Sequence, residues 1–145
     1  PMIGVAILFI GIFITMIPAL VLLKVHGTEL GIDQPWQMFW VCGLLSSCLD
    51  NTPTYLVFLQ TAASLGAAEG IATTVGTVTP LMLEAISAGA VFMGAMTYIG
   101  NAPNFMIKAI AEESGIKMPG FFAYIGWAIV ILCPVFIIDT LVFYM

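Results

Sequence analysis

The chain has 145 residues, of which 61% are hydrophobic and only 8% charged, whereas a soluble domain carries about 25% charged residues. With a mean hydropathy of +1.13, so few charges cannot cover the surface of a water-soluble domain, which excludes a cytosolic enzyme and a disordered tail. Three lysines and no arginine leave no patch to neutralise phosphates, so nucleic acid is not an expected partner, and the net charge of −5 says little about others.

A helix needs about 20 apolar residues to cross about 30 Å of hydrocarbon. Residues 2–23 carry no charge and are expected to span, with Pro18 as a kink. The chain opens inside this apolar run, without the charged leader and cleavage site of a signal peptide. It therefore reads as the C-terminal piece of a longer membrane protein. A polar connection follows over residues 24–34, with Lys24, His26, Glu29 and Asp33.

Pro35 and Trp36 suit a membrane entry. Between residues 34 and 68 the only charge is Asp50. The apolar halves on either side, 36–49 and 53–65, are each too short for a full crossing; the first would rise about 21 Å as a helix. They are expected to form a re-entrant hairpin over 35–65, one kinked and tilted span being the alternative. Residues 66–79 are expected to be a loop or a weakly hydrophobic lead-in.

A second long element, 80–114, is interrupted at Gly100-Asn101-Ala102-Pro103-Asn104. Its second half turns polar with Lys108, Glu112 and Glu113, and Gly115 suits the position after a helix end. Glu113 and Lys117 have the spacing of a solvated ion pair. Residues 120–143 form the last expected span, with Pro134 as a kink. Asp139 near its end is expected at an interface, as is Glu84, and His26 at the surface. Cys42, Cys48 and Cys133 show no metal-ligand spacing and read as free thiols.

The two breaks share a pattern, Asn51-Thr52-Pro53-Thr54 and Asn101-Ala102-Pro103-Asn104. Proline ends the preceding helix and frees its carbonyls, and an Asn or Thr before it can cap the next helix. Each break thus exposes a partly negative helix C-terminus and a partly positive N-terminus. Such discontinuous helices build ion and substrate sites in many secondary transporters. Used only for packing, the same breaks would be plain kinks.

Asp50 stands out because a carboxylate at a helix centre costs about 2.5–3.5 kcal/mol on insertion scales. It could serve merely as a cap, but Asn51 or Thr52 could cap without the charge. If it ligates a cation when ionised and a proton otherwise, the two compete for one site, as an antiporter requires. Oxygen ligands for sodium are plentiful: Ser46, Ser47, Asp50, Asn51, Thr52 and Thr54 at the first break, Thr97, Asn101, Asn104 and the Gly100 carbonyl at the second. Ser46 and Ser47 could equally bond their own helix carbonyls. No nucleotide-binding loop, nucleophile–base pair or histidine cluster appears, so an enzyme is not expected.

The stretches Ser46-Ser47-Cys48-Leu49-Asp50-Asn51-Thr52-Pro53-Thr54 and Tyr98-Ile99-Gly100-Asn101-Ala102-Pro103-Asn104-Phe105-Met106 resemble the C-terminal part of bacterial sodium/proton antiporters of the citrate-transporter-like type, in the ion transporter superfamily. The resemblance runs from about Trp36 to the C-terminus. It implies an all-α polytopic fold, half of an inverted-repeat transporter, with Asp50-Asn51-Thr52 at a hairpin tip and residues 100–104 at the facing helix break. It also implies a dimer, an N-terminal half of the same protein as partner, and the cell (inner) membrane as location. Sodium-dicarboxylate carriers typically place a neutral Ser-Asn-Thr at the tip, where this chain has Asp50. A fixed charge there would repel a di-anion, which favours sodium/proton antiport over sodium-coupled uptake of citrate or a dicarboxylate. Sodium would sit at Asp50, Asn51 and Asn101, with Ser47, Thr52, Thr54, Thr97, Gly100 and Asn104 around it and Pro53 and Pro103 making the breaks. Sodium and protons would be transported, with no other cofactor. A hairpin at 35–65 puts 24–34 and 66–79 on one side and 114–119 on the other. Lys108 and Lys117 against Lys24 then favour a cytoplasmic 114–119 and an outside C-terminus.

Overall fold

The computed structural model describes residues 25–145 together with 7, 10, 11, 14, 15, 17, 18, 21 and 22. The span expected over residues 2–23 lies largely outside the described residues, as does Lys24; those described within it are helical. A 3-10 turn, Gly27–Leu30, leads to helix α1, Pro35–Ser46. Gln34 and Gln37 form a reciprocal capping box at its start, with Pro35 at the first position, where the missing N–H costs nothing. Helix α2 is Asn51–Ser64. It ends at Gly66, whose φ of 68° is the left-handed turn that glycine adopts freely.

Residues 66–79 are more ordered than a loop. Strands β1, Ile71–Thr73, and β2, Gly76–Val78, pair antiparallel with Ile71 opposite Val78. Thr73 Oγ1 donates to Gly76 O at 2.6 Å and closes the turn. Each strand is three residues long, too short for an alternating pattern to show. The ribbon holds together because Val78 is buried beside Phe58, Leu59 and Ala62 of α2.

Helix α3, Pro80–Phe92, runs into a 3-10 turn, Met93–Met96. The backbone then goes extended at Thr97, and helix α4, Ala102–Glu113, begins after Asn101. Gly115, at φ 82°, follows its end. Helix α5, Phe121–Asp139, contains Pro134 and passes into a π-turn, Thr140–Tyr144. By length and composition Phe121–Tyr144, 24 residues, can cross a membrane, and Pro80–Met96 is a shorter apolar helix. Trp127, Val130 and Ile138 on α5 and Val142 on the π-turn face outward, an apolar surface suited to lipid.

The pair α1–α3 forms the centre of the packing. One face of it, with Met38, Cys42, Met82, Ile86 and Ala90, meets α2 and the ribbon. The other, with Phe39 and Ala85, meets Met93, Ala128, Phe136 and Tyr144. Gly89 lets the two backbones approach closely, since a Cβ there would lie 3.2 Å from the Phe39 carbonyl carbon. Close approach through small residues is how helices pack where lipid removes the hydrophobic drive. Phe39 lies with its ring centroid 5.2 Å from that of Tyr144, and Trp40 Nε1 donates to Thr140 Oγ1 at 3.0 Å. These contacts fasten the end of α5 to α1.

One expected pairing changes. The helix ion pair is Lys108 with Glu112, at 2.8 Å, and does not join Glu113 to Lys117. The turn at Gly115 carries Lys117 off the helix before the spacing can act. Near the end of α5, the Oδ2 of Asp139 is buried. The packing of Tyr144 against Phe39 draws this last part of α5 into the fold.

Candidate functional site

The turn between α1 and α2 and the break between α3 and α4 lie against each other. Their contact is built from neutral side chains. Asn51, the first residue of α2, reaches across with its amide. With its nitrogen directed by the hydrogen-bond network, it donates to Gly100 O at 3.0 Å, Ala90 O at 3.0 Å and Ser46 Oγ at 2.9 Å. Ser46 Oγ in turn donates to Ala90 O at 2.5 Å. One side chain thus joins the end of α1, the end of α3 and the second break.

Thr97 makes the return connection. Its hydroxyl donates to Ser47 O and accepts from Gly100 N at 2.9 Å and Ile99 N at 3.2 Å. Asn104 Nδ2 donates to Gly94 O at 3.2 Å and Thr97 O at 3.0 Å, folding the start of α4 back onto the 3-10 turn. Carbonyls released by the broken helices are therefore paired with side-chain donors, as buried polar groups must be. Two glycines make this possible. A Cβ on Gly94 would strike the Asn51 amide, and one on Gly100 would lie 3.0 Å from Ser47 O.

The charged residue of the first break takes a different role from its neighbours. Asp50 caps α2, its Oδ1 accepting from Thr52 N at 3.3 Å. It is half-buried, and its side-chain hydrogen bond stays within its own turn. Because Asp50 caps, Asn51 is released to reach across. Pro53 falls at the third position of α2, and Pro103 at the second of α4. Thr54 is buried and donates back to Asp50 O at 3.0 Å. Thr52 is exposed. Asn101 caps α4, accepting from Asn104 N at 3.0 Å. Ser47 Oγ bonds its own helix at Leu44 O, 2.7 Å, and joins the contact only through its carbonyl.

The structure thus brings together Ser46, Ser47 O, Asn51, Thr97, Gly100 and Asn104. It keeps the Asp50, Thr54 and Asn101 side chains bonded within their own turns. No group of three or more His, Cys, Asp or Glu side chains gathers among the described residues. A groove of about 310 Å³ opens beside Asn51 and Thr52, walled by Tyr55, Ser87, Ala90 and Val91. Ser87 and Val91 had not been marked from the sequence; an isolated Ser on an apolar helix carries no local signal. Tyr98 and Tyr124 brace the site from the far side. Their rings stack at 4.1 Å, Tyr124 Oη donates to Ala95 O at 2.9 Å, and Tyr98 Oη donates to Pro119 O at 3.1 Å.

Positive helix ends, neutral donors and a groove of a size that admits a small organic ligand together suit polar substrate recognition inside an apolar scaffold. Comparison with known proteins finds a family model described as "Putative citrate transport" that matches residues 1–144. No curated protein matches, and no solved structure does.

Proposed function

The chain belongs to this citrate-transport family of membrane transporters, and from that premise we propose that it forms the binding region of a secondary transporter carrying a citrate-type carboxylate with a coupling cation. The observation that supports this reading is the contact of the two breaks through Asn51, Thr97 and Asn104, all neutral. A carboxylate substrate is favoured by donors and helix N-termini and disfavoured by a facing fixed charge. Asp50 is turned into its own cap, so the repulsion expected from it is reduced. In this reading α1 and α2 form a re-entrant hairpin in a multi-pass protein of the cell membrane. An N-terminal half and a second subunit complete the assembly.

The test uses the full-length protein in vesicles, with labelled citrate outside and an inward sodium gradient. Saturable, sodium-dependent uptake is expected, lost in Asn51→Ala. It is retained in Asp50→Asn, since asparagine caps a helix as well as aspartate does.

Sodium/proton antiport is the second reading, and the half-buried carboxylate of Asp50 at the tip of the turn favours it. It predicts sodium-driven proton movement, read with a pH-gradient dye, that Asp50→Asn abolishes. That result, with no labelled citrate uptake, would replace the carboxylate reading.

A further inference from the structure

Residues 97–101, between the 3-10 turn and α4, belong to no helix or strand, so no regular hydrogen bonding fixes their direction. A continuous helix would send Ile99 N to Ala95 O. Thr97 Oγ1 accepts that N–H instead, at 3.2 Å, and accepts from Gly100 N at 2.9 Å. The Ala95 carbonyl is left for a donor from elsewhere, and Tyr124 of α5 supplies it, Oη to O at 2.9 Å. A second bond runs the opposite way. Tyr98, buried in the break, donates its phenol to Pro119 O, just ahead of α5, at 3.1 Å.

The two bonds are reciprocal. The break gives the Tyr98 donor and the Ala95 acceptor, and the start of α5 gives the Tyr124 donor and the Pro119 acceptor. Between them the rings stack with centroids 4.1 Å apart. Lys108 Nζ lies 5.5 Å from the Tyr98 centroid, which ties α4 to the same ring. A kink held by packing alone would be served as well by two phenylalanines. The hydroxyls add direction, because a hydrogen bond weakens steeply when its angle is lost. What they aim lies just beyond. Gly100 O receives the Asn51 amide, and Thr97 Oγ1 donates to Ser47 O. Neither tyrosine borders the groove beside Asn51 and Thr52.

We infer that Tyr98 and Tyr124 are positioning residues for the transport site: their reciprocal bonds hold the second break in the arrangement that meets α1 and α2, so that the site is formed before substrate arrives. This rests on the contact of the two breaks being the transport site, as proposed above. Without the bonds the break also visits arrangements that do not bind. The apparent affinity then falls in proportion to the fraction of molecules that remain competent. Saturating substrate refills the competent arrangement, so capacity is kept.

The experiment measures uptake of labelled citrate under an inward sodium gradient by the full-length protein in vesicles, for the wild type, Tyr98→Phe, Tyr124→Phe and Asn51→Ala. Phenylalanine keeps the ring stack and removes only the bond. Each tyrosine variant is expected to raise KM about three- to tenfold, with Vmax within about twofold of the wild type. A wild-type KM in both variants overturns the proposal. So does a lower Vmax at unchanged KM, which marks tyrosines that only hold the protein together. Uptake lost in Asn51→Ala but untouched in both tyrosine variants removes the positioning role and leaves the substrate reading standing. If the wild type takes up no citrate, the substrate reading falls, and deuterium exchange of the full-length protein in detergent decides the positioning role. Residues 97–104 should then exchange at least about threefold faster in Tyr98→Phe than in the wild type, with the ribbon at 71–78 unchanged. Equal rates at 97–104 overturn it.

Discussion

Asn51 offers a sharp test of how the two breaks are joined. Replacing it with alanine removes the donor to Gly100 O, while Ala90 O still receives the Ser46 hydroxyl. Gly100 is buried, so its carbonyl loses a partner that water does not readily replace. An orphaned buried acceptor costs about 1–3 kcal/mol, and the lost bond to Ser46 Oγ adds about 1 kcal/mol. Asn51→Ala should therefore destabilise by about 2–4 kcal/mol. Asn51→Asp is the more demanding variant. It keeps the shape but sets a carboxylate oxygen against two carbonyls at 3.0 Å. It should be worse than alanine by several kcal/mol, because it buries a charge facing acceptors. The assay is reversible unfolding of the full-length protein in mixed micelles by increasing SDS fraction, followed by tryptophan fluorescence. Stability of Asn51→Asp equal to wild type would refute the reasoning, since it would mean that the amide oxygen, and not its nitrogen, faces Gly100 and Ala90.

Three further outcomes follow from the packing. Thr97→Val, which keeps the shape but loses the bonds to Ser47 O, Gly100 N and Ile99 N, should cost about 2–3 kcal/mol in the same assay, with Thr97→Ser close to wild type. Gly89→Ala should destabilise by about 1–3 kcal/mol, because the added methyl meets the Phe39 backbone and no flexible side chain can yield. Trp40→Phe removes the bond to Thr140 and should cost about 1 kcal/mol. It should also speed deuterium uptake in residues 140–144, measured by mass spectrometry, while α2 is unaffected.

Local rules carried the reading of the sequence as far as the helix ends. Proline, asparagine and glycine act on their immediate neighbours, so the starts at Asn51 and Ala102 and the left-handed turn at Gly115 are written in adjacent residues. The role of Asn51 is not local. Its partners Ala90 and Gly100 lie far along the chain, and nothing near position 51 announces them. The contest between Asp50, Asn51 and Thr52 for the cap is likewise decided by what lies opposite. Asp50 caps, and the shape of the Gly94–Gly100 segment accepts the Asn51 amide. The contacts of Tyr144 with Phe39 and of Thr140 with Trp40, which turn residues 140–144 inward, are likewise not written in adjacent residues. The ribbon at 71–78 escaped notice because three-residue strands carry too little pattern, and its stability comes from Val78 against α2.

The stapling of the two breaks also constrains motion. A carrier must present its site to one side and then the other. Prying the α1–α2 turn away from the α3–α4 break would sever the bonds from Asn51 and Thr97 together and leave buried acceptors unpaired. That route is mechanically stiff. Sliding contacts are softer, and the outward face of α5, with Trp127, Val130 and Ile138, makes no such bonds. Displacement during a transport cycle should therefore be concentrated along smooth apolar surfaces, with the stapled core travelling as one block and both helix N-termini keeping their mutual orientation throughout.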